Sequence, residues 1–283
     1  NIYGMTEAER KQIIALVQRE VVPAIGCTEP IAVALCVAKA TETLGAKPEK
    51  IDVLLSANIL KNAMGVGIPG TGMIGLPIAI ALGALIGKSE YQLEVLKDSN
   101  PAAVEEGKRF IGEKRIDISL KKNITEKLYI EVCCKSGGNK ATAIIAGGHT
   151  TFIYIACNGD VLLNKQSAGC GEEEAQVAGL TLRKVYDFAM NAPLDEIRFI
   201  LETARLNKAA AERSFDGNYG HGLGRMLRGN YEHKILGDSV FSHILSYTSG
   251  ACDARMAGAM IPVMSNSGSG WSMPRRTANR KKS

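Results

Sequence analysis

Residues 66–87 run for 22 positions without one charged side chain, and this stretch constrains the fold of the 283-residue chain more than any other. Its length would cross a bilayer. It also carries Pro69, Pro77 and six glycines, and neither an aromatic belt nor a flanking basic cluster marks a membrane interface. The reading that fits is a buried helix entered through a glycine-rich turn and ending near Gly87. The rest of the chain must then wrap a core around it, with no membrane as a partner.

The net charge of +5 points to nucleic acid only superficially. Residues 271–283 hold Arg275, Arg276, Arg280, Lys281 and Lys282 and no acid. Without those five, 29 basic side chains face 29 acidic ones, so no nucleic-acid partner is expected. Seven cysteines, an odd number without a leader sequence, suggest reduced thiols and a cytoplasmic location. Met5 is read as the natural start.

Local patterns give an α+β chain, with helices packed around an antiparallel sheet and an Ala/Gly-rich helical part. Thr6–Glu9 forms a capping box that opens a helix, apolar at Ile13, Ile14, Leu16, Val17 and Val21 and stopped by Pro23. Thr28 caps a second helix, with Glu29 and Pro30 in its first turn, running to Gly45. Ile51–Leu55 reads as a strand, and Ser89 and Asn100-Pro101 start short helices. From Ile116 the period is two: 116–120 and 128–132 alternate, 141–146 and 151–156 are apolar runs, and Gly137-Gly138 and Asn158–Asp160 are turns. Strands joined so tightly form an antiparallel meander. Helix resumes after Glu172, breaks at Ala192-Pro193, and is interrupted by glycine-rich segments at 216–224 and 265–270. The expected organisation is one domain over 5–270, with an α/β part at about 45–168, helical parts at 5–44 and 172–270, and an atypical basic tail at 271–283.

Four segments could carry chemistry. Cys27 lies at a helix start, where unpaired amides and the helix dipole favour a thiolate, and Glu29 beside it can accept protons. The alternative for Cys27 is a small buried cysteine. Cys36 reads as core, Cys133 and Cys134 point to opposite faces of a strand, and no CxxC pair suggests a closed zinc site. Gly65, Gly67 and Gly70 match GxGxxG, but Pro69 removes an amide donor. An anion nest, in which amides and Lys61 hold a carboxylate or phosphate, fits better, and a packing turn is the alternative. His149 after paired glycines and His221 among four glycines are isolated candidates. The run Pro262–Gly270 offers hydroxyls, amides and exposed backbone to a small polar ligand.

Read together, Gly26–Pro30, Lys61-Asn62 with Val66–Thr71, Gly147–Thr150, Asp253–Met256 and Pro262–Gly270 resemble the serine dehydratase alpha-chain family. The nearest branch is that of the L-cysteine desulfidases and UPF0597-type relatives. The resemblance implies β-elimination from L-cysteine or L-serine to pyruvate and ammonia, with sulfide released from cysteine. It implies a four-iron, four-sulfur cluster with one iron open to substrate, and no pyridoxal phosphate. Cys27 is then either the proton-transferring thiolate or a group close to the cluster, with Glu29 beside it. Lys61, Asn62, Gly70, Thr71, His149, Ser265, Asn266, Ser267 and Ser269 would hold the amino acid. The family's cluster cysteines follow the serine-rich loop, whereas here Gly270 precedes Trp271 and a basic tail. The expectation is a frameshifted or truncated end, with no cluster in this chain. Apolar surface left open would favour a homodimer. The alternative function is a non-catalytic protein that binds an amino acid or small anion.

Overall fold

The computed structural model describes residues 5–165, 179–229, 237, 239–266 and 269–270. After helix α1 (Glu7–Glu20) and strand β1 (Val21–Ile25), helix α2 (Thr28–Leu44) leads to β2 (Lys50–Leu55). Helices α3 (Ala57–Ala63), α4 (Leu76–Leu85) and α5 (Pro101–Gly112) follow. Strands β3 (Ile116–Leu120), β4 (Tyr129–Ser136), β5 (Asn139–Ala146), β6 (Phe152–Cys157) and β7 (Asp160–Asn164) come next. The second half contains α6 (Leu182–Asn191), α7 (Leu194–Ile197), α8 (Leu201–Asp216), α9 (Leu223–Arg228) and α10 (Val240–Met256), then β8 (Pro262–Asn266) and β9 (Ser269–Gly270).

The main sheet has the order β3-β2-β4-β5-β6-β7. The stretch from β4 to β7 is the expected meander, but β3 lies parallel to β2, so the sheet is mixed. A parallel neighbour needs a long crossover, and α3, α4 and α5 supply it. Alternation places Ile51, Val53 and Leu55 of β2 beside Ile130, Val132 and Cys134 of β4 on the buried face. Across them lies α2, whose Ile31, Leu35 and Cys36 are inaccessible to solvent. Read from sequence with the helical part, α2 belongs to the core of the sheet. The uncharged stretch becomes the ten-residue α4, which packs on α2 so closely that a Cβ at Gly83 would fall 2.6 Å from the Ala34 carbonyl oxygen. Among the described residues no helix is long and apolar enough to cross a membrane.

The first helix has its capping box, with Glu9 N–H donating to Thr6 Oγ1 at 3.2 Å, but it ends at Glu20 rather than at Pro23. Val21–Ile25 instead forms β1, which pairs antiparallel with β8, Val22 opposite Ser265 and Ile25 opposite Pro262. Three β-branched residues, Val21, Val22 and Ile25, favour this extended form, and Pro23 is tolerated because β1 is an edge of the small β1-β8-β9 sheet. The second helix is capped by Cys27, not Thr28; Cys27 is extended at φ −72°, ψ 136°, and buried Thr28 is the first helical residue. The 271–283 tail, Ser267 and the helix start expected after Glu172 lie outside the described residues.

Candidate active site

The end of β1 delivers Gly26 and Cys27 to the start of α2. Gly26 has φ +87°, and a Cβ there would meet the Pro69 ring at 2.6 Å, so this turn requires glycine. It aims the Cys27 thiol at Glu29, with Sγ donating to Oε2 at 3.0 Å. Thr28 Oγ1 donates to the same oxygen at 3.2 Å, and Asn62 Nδ2 on α3 approaches Oε1 at 3.4 Å. Arg255, near the end of α10, reaches across to donate from Nε to the Gly26 carbonyl at 3.0 Å.

Burial dominates the electrostatics. It pushes the Cys27 thiol up to about 12, and the Glu29 charge pushes the same way while Arg255 opposes. The helix start therefore does not produce a resting thiolate: Cys27 is a neutral proton donor held on a carboxylate. Iodoacetamide at pH 8 is expected to alkylate it on the order of 100-fold more slowly than an unhindered thiol. Labelling at the free-thiol rate in an intact-mass time course would contradict that state.

His149, in the β5–β6 loop, is held below its ordinary 6.5 by burial; the Arg255 charge acts in the same direction, and Glu29 and Glu20 oppose. An unfolded chain binds this proton more readily than the folded one, so the contribution to stability is full above about pH 6.5 and falls as pH drops. Urea unfolding at pH 7.5 and 5.5 should show a smaller acid loss in His149→Gln than in the wild type. Equal losses would remove His149 as the cause.

Among the described residues six buried side-chain polar atoms have no hydrogen-bond partner, and three of them belong to this region: Arg255 Nη2, His149 Nε2 and Ser265 Oγ. Arg255 is 8% exposed and Ser265 fully buried. Arg255 and His149 both lie within electrostatic reach of the Cys27–Glu29 pair, and Ser265 sits on the strand beside β1. Unpartnered buried groups of this kind are costly unless water or a ligand completes them. Two nitrogens and a hydroxyl suit a small carboxylate.

The structure gives the other candidates different surroundings. The glycine run is not an anion nest, because its amides are already taken: Gly67 N–H donates to Met256 O at 2.9 Å and Gly70 N–H to Gly258 O at 3.2 Å. Gly75 N–H donates to Val66 O, and the Thr71 hydroxyl donates to Ile68 O at 2.8 Å while accepting from Met73 N–H. Lys61 is exposed on α3, and His221 is exposed beyond α8. Asn266 and Ser269 pair through backbone in the β8–β9 hairpin. Arg255 was missed as a site residue, although Asp253–Met256 was noted as a motif; the signal was an arginine among apolar and small residues.

An iron–sulfur cluster needs thiolates that converge. Among the described residues no three His, Cys, Asp or Glu side chains are placed to share a metal. Cys36 and Cys134 are buried in the core between α2 and the sheet, and the Cys27 proton is engaged by Glu29. The described residues therefore do not fit the cluster.

Over 266 residues, 94% of the chain, the sequence is 82% identical to a UPF0597 protein of Bacteroides fragilis. It is 77% identical over 266 residues to one of Bacteroides thetaiotaomicron and 45% identical over 260 residues to one of Chromobacterium violaceum. The matches take in 62%, 62% and 60% of those proteins, so the chain spans about three-fifths of the length of these curated relatives. No family model matches the chain, and no solved structure does.

Proposed function

We propose that the chain is a UPF0597 family member whose Gly26–Glu29 site binds a small amino acid, L-cysteine or L-serine, and eliminates its β-substituent. The observation that carries this reading is the unpaired Arg255 Nη2 and His149 Nε2 beside a thiol–carboxylate pair. Arg255 would take the substrate carboxylate, with Ser265 as a further donor, and Asn62 would fix Glu29. The iron–sulfur cluster is implied by resemblance alone, and each step below uses the chain's own groups.

Glu29 takes the α-proton. The C–H electron pair forms the Cα–Cβ double bond, and the Cβ–S or Cβ–O bond breaks, its electron pair leaving with the sulfur or oxygen. The neutral Cys27 thiol gives that leaving group its proton, producing hydrogen sulfide or water. Return of the proton from Glu29 to Cys27 along their 3.0 Å contact resets both. The enamine tautomerises, and water releases pyruvate and ammonia.

The test pairs calorimetry of this chain against L-cysteine and L-serine with pyruvate and sulfide assays on the full-length Bacteroides fragilis relative, run anaerobically with iron and sulfide supplied. Binding by the chain together with turnover by the relative is the expected result. Binding with no turnover in either protein favours the second reading, a non-catalytic binder of amino acids or small anions, which the same unpaired donors support. No binding sinks both.

A further inference from the structure

Among the described residues, the second half of the chain presents an apolar side: fourteen of the nineteen exposed large apolar side chains lie between Leu182 and Met260. Their arrangement is ordered. On α10, Phe241 and Ile244 continue the face that carries Thr248, Ala251, Cys252 and Arg255, at spacings of three and four residues. On α8, Leu201, Ala204 and Lys208 form the facing row. Between the rows runs a groove of about 440 Å³, almost wholly apolar and floored by Val263 and Met264 of β8. Leu201 on its rim is 64% exposed, and Phe241 further along α10 is 66% exposed, so apolar surface continues along α10 beyond the groove. Arg255, which bonds the Gly26 carbonyl at the candidate site, also lines the groove.

We propose that this groove seats an apolar segment from the part of UPF0597 proteins that has no counterpart in the match. The match covers 62% of the Bacteroides fragilis relative, leaving more than a third of that protein to be accommodated. An apolar furrow bounded by two antiparallel helices is a surface that water penalises and a helix or loop with apolar anchors covers. A segment seated there lies against Arg255 and closes that side of the site. The inference rests on family membership and not on the elimination chemistry, and its test contains no substrate.

The unmatched region of the Bacteroides fragilis relative is co-expressed with this chain and complex formation is followed by sedimentation. A one-to-one complex is expected, lost in Leu201→Asp and Phe241→Asp while their melting temperatures stay at the wild-type value. Hydrogen exchange provides a reading that does not need the separate region to fold. Amides in α8 and α10 should exchange roughly tenfold or more slowly in the full-length relative than in this chain. Equal exchange in the two proteins overturns the proposal. So does a dimer of this chain alone that the same two substitutions dissociate, since the occupant would then be a second copy.

Discussion

Gly67→Ala is expected to lower the unfolding midpoint by roughly 6–12 °C, from a cost of about 3 kcal/mol. A Cβ at this position would stand 2.5 Å from both the carbonyl carbon and the oxygen of Ala257. Those atoms are backbone, so no rotamer change relieves the contact. The clash falls where the loop before α4 is bonded to the end of α10, Gly67 N–H on Met256 O and Gly70 N–H on Gly258 O. This junction holds Arg255 against Gly26, so the variant should also bind amino acids less tightly than its stability loss alone implies. Gly65→Ala is the control: nothing lies within 4 Å of a Cβ there. Calorimetric midpoints that agree for the two variants would show that the loop and helix are not packed as described.

Arg255→Met should weaken binding of L-cysteine and L-serine by about 3 kcal/mol, roughly 100-fold. Methionine fills much of the volume but supplies no donor. The Gly26 carbonyl then loses its 3.0 Å partner, at a stability cost of about 1–3 kcal/mol. Arg255→Lys keeps a charge without the planar fork and should recover only part of the affinity. A lysine variant that binds better than the methionine variant, at similar melting temperature, separates charge recognition from packing. Methionine binding equal to wild type would remove Arg255 from the site.

Elements governed by local rules were legible in the sequence. The capping box at Thr6, the meander from β4 to β7, the Asn100 cap of α5 and the helix inside the uncharged stretch each follow from a pattern within a few residues. What was not legible depends on partners far along the chain. Val21–Ile25 continues the apolar face of α1, and only β8, some 240 residues later, converts it to a strand. The glycine run reads as an anion nest for a carboxylate or phosphate, because sequence does not reveal that Met256 and Gly258 carbonyls occupy two of its amides. Cys27 was placed correctly at a helix start, yet its protonation state depends on burial beneath distant segments. The same holds for Arg255, whose importance is visible only once α10 folds back onto Gly26.

The pairing of β1 with β8 also sets an order of events during synthesis. At ribosomal rates of about 5–20 residues per second, roughly 10–50 s separate the emergence of the first strand from that of its partner. The α2–sheet core can form within that interval, because its strands lie between residues 50 and 164. The Val21–Ile25 strand waits alone, with bare amides and carbonyls able to recruit a neighbouring nascent chain. Pro23, which contributes nothing to helix α1, then acts as a gatekeeper by withholding one amide from any foreign strand. Cys27 spends the same interval without Arg255 above it, so oxidation of this thiol would arise mainly on unfinished chains.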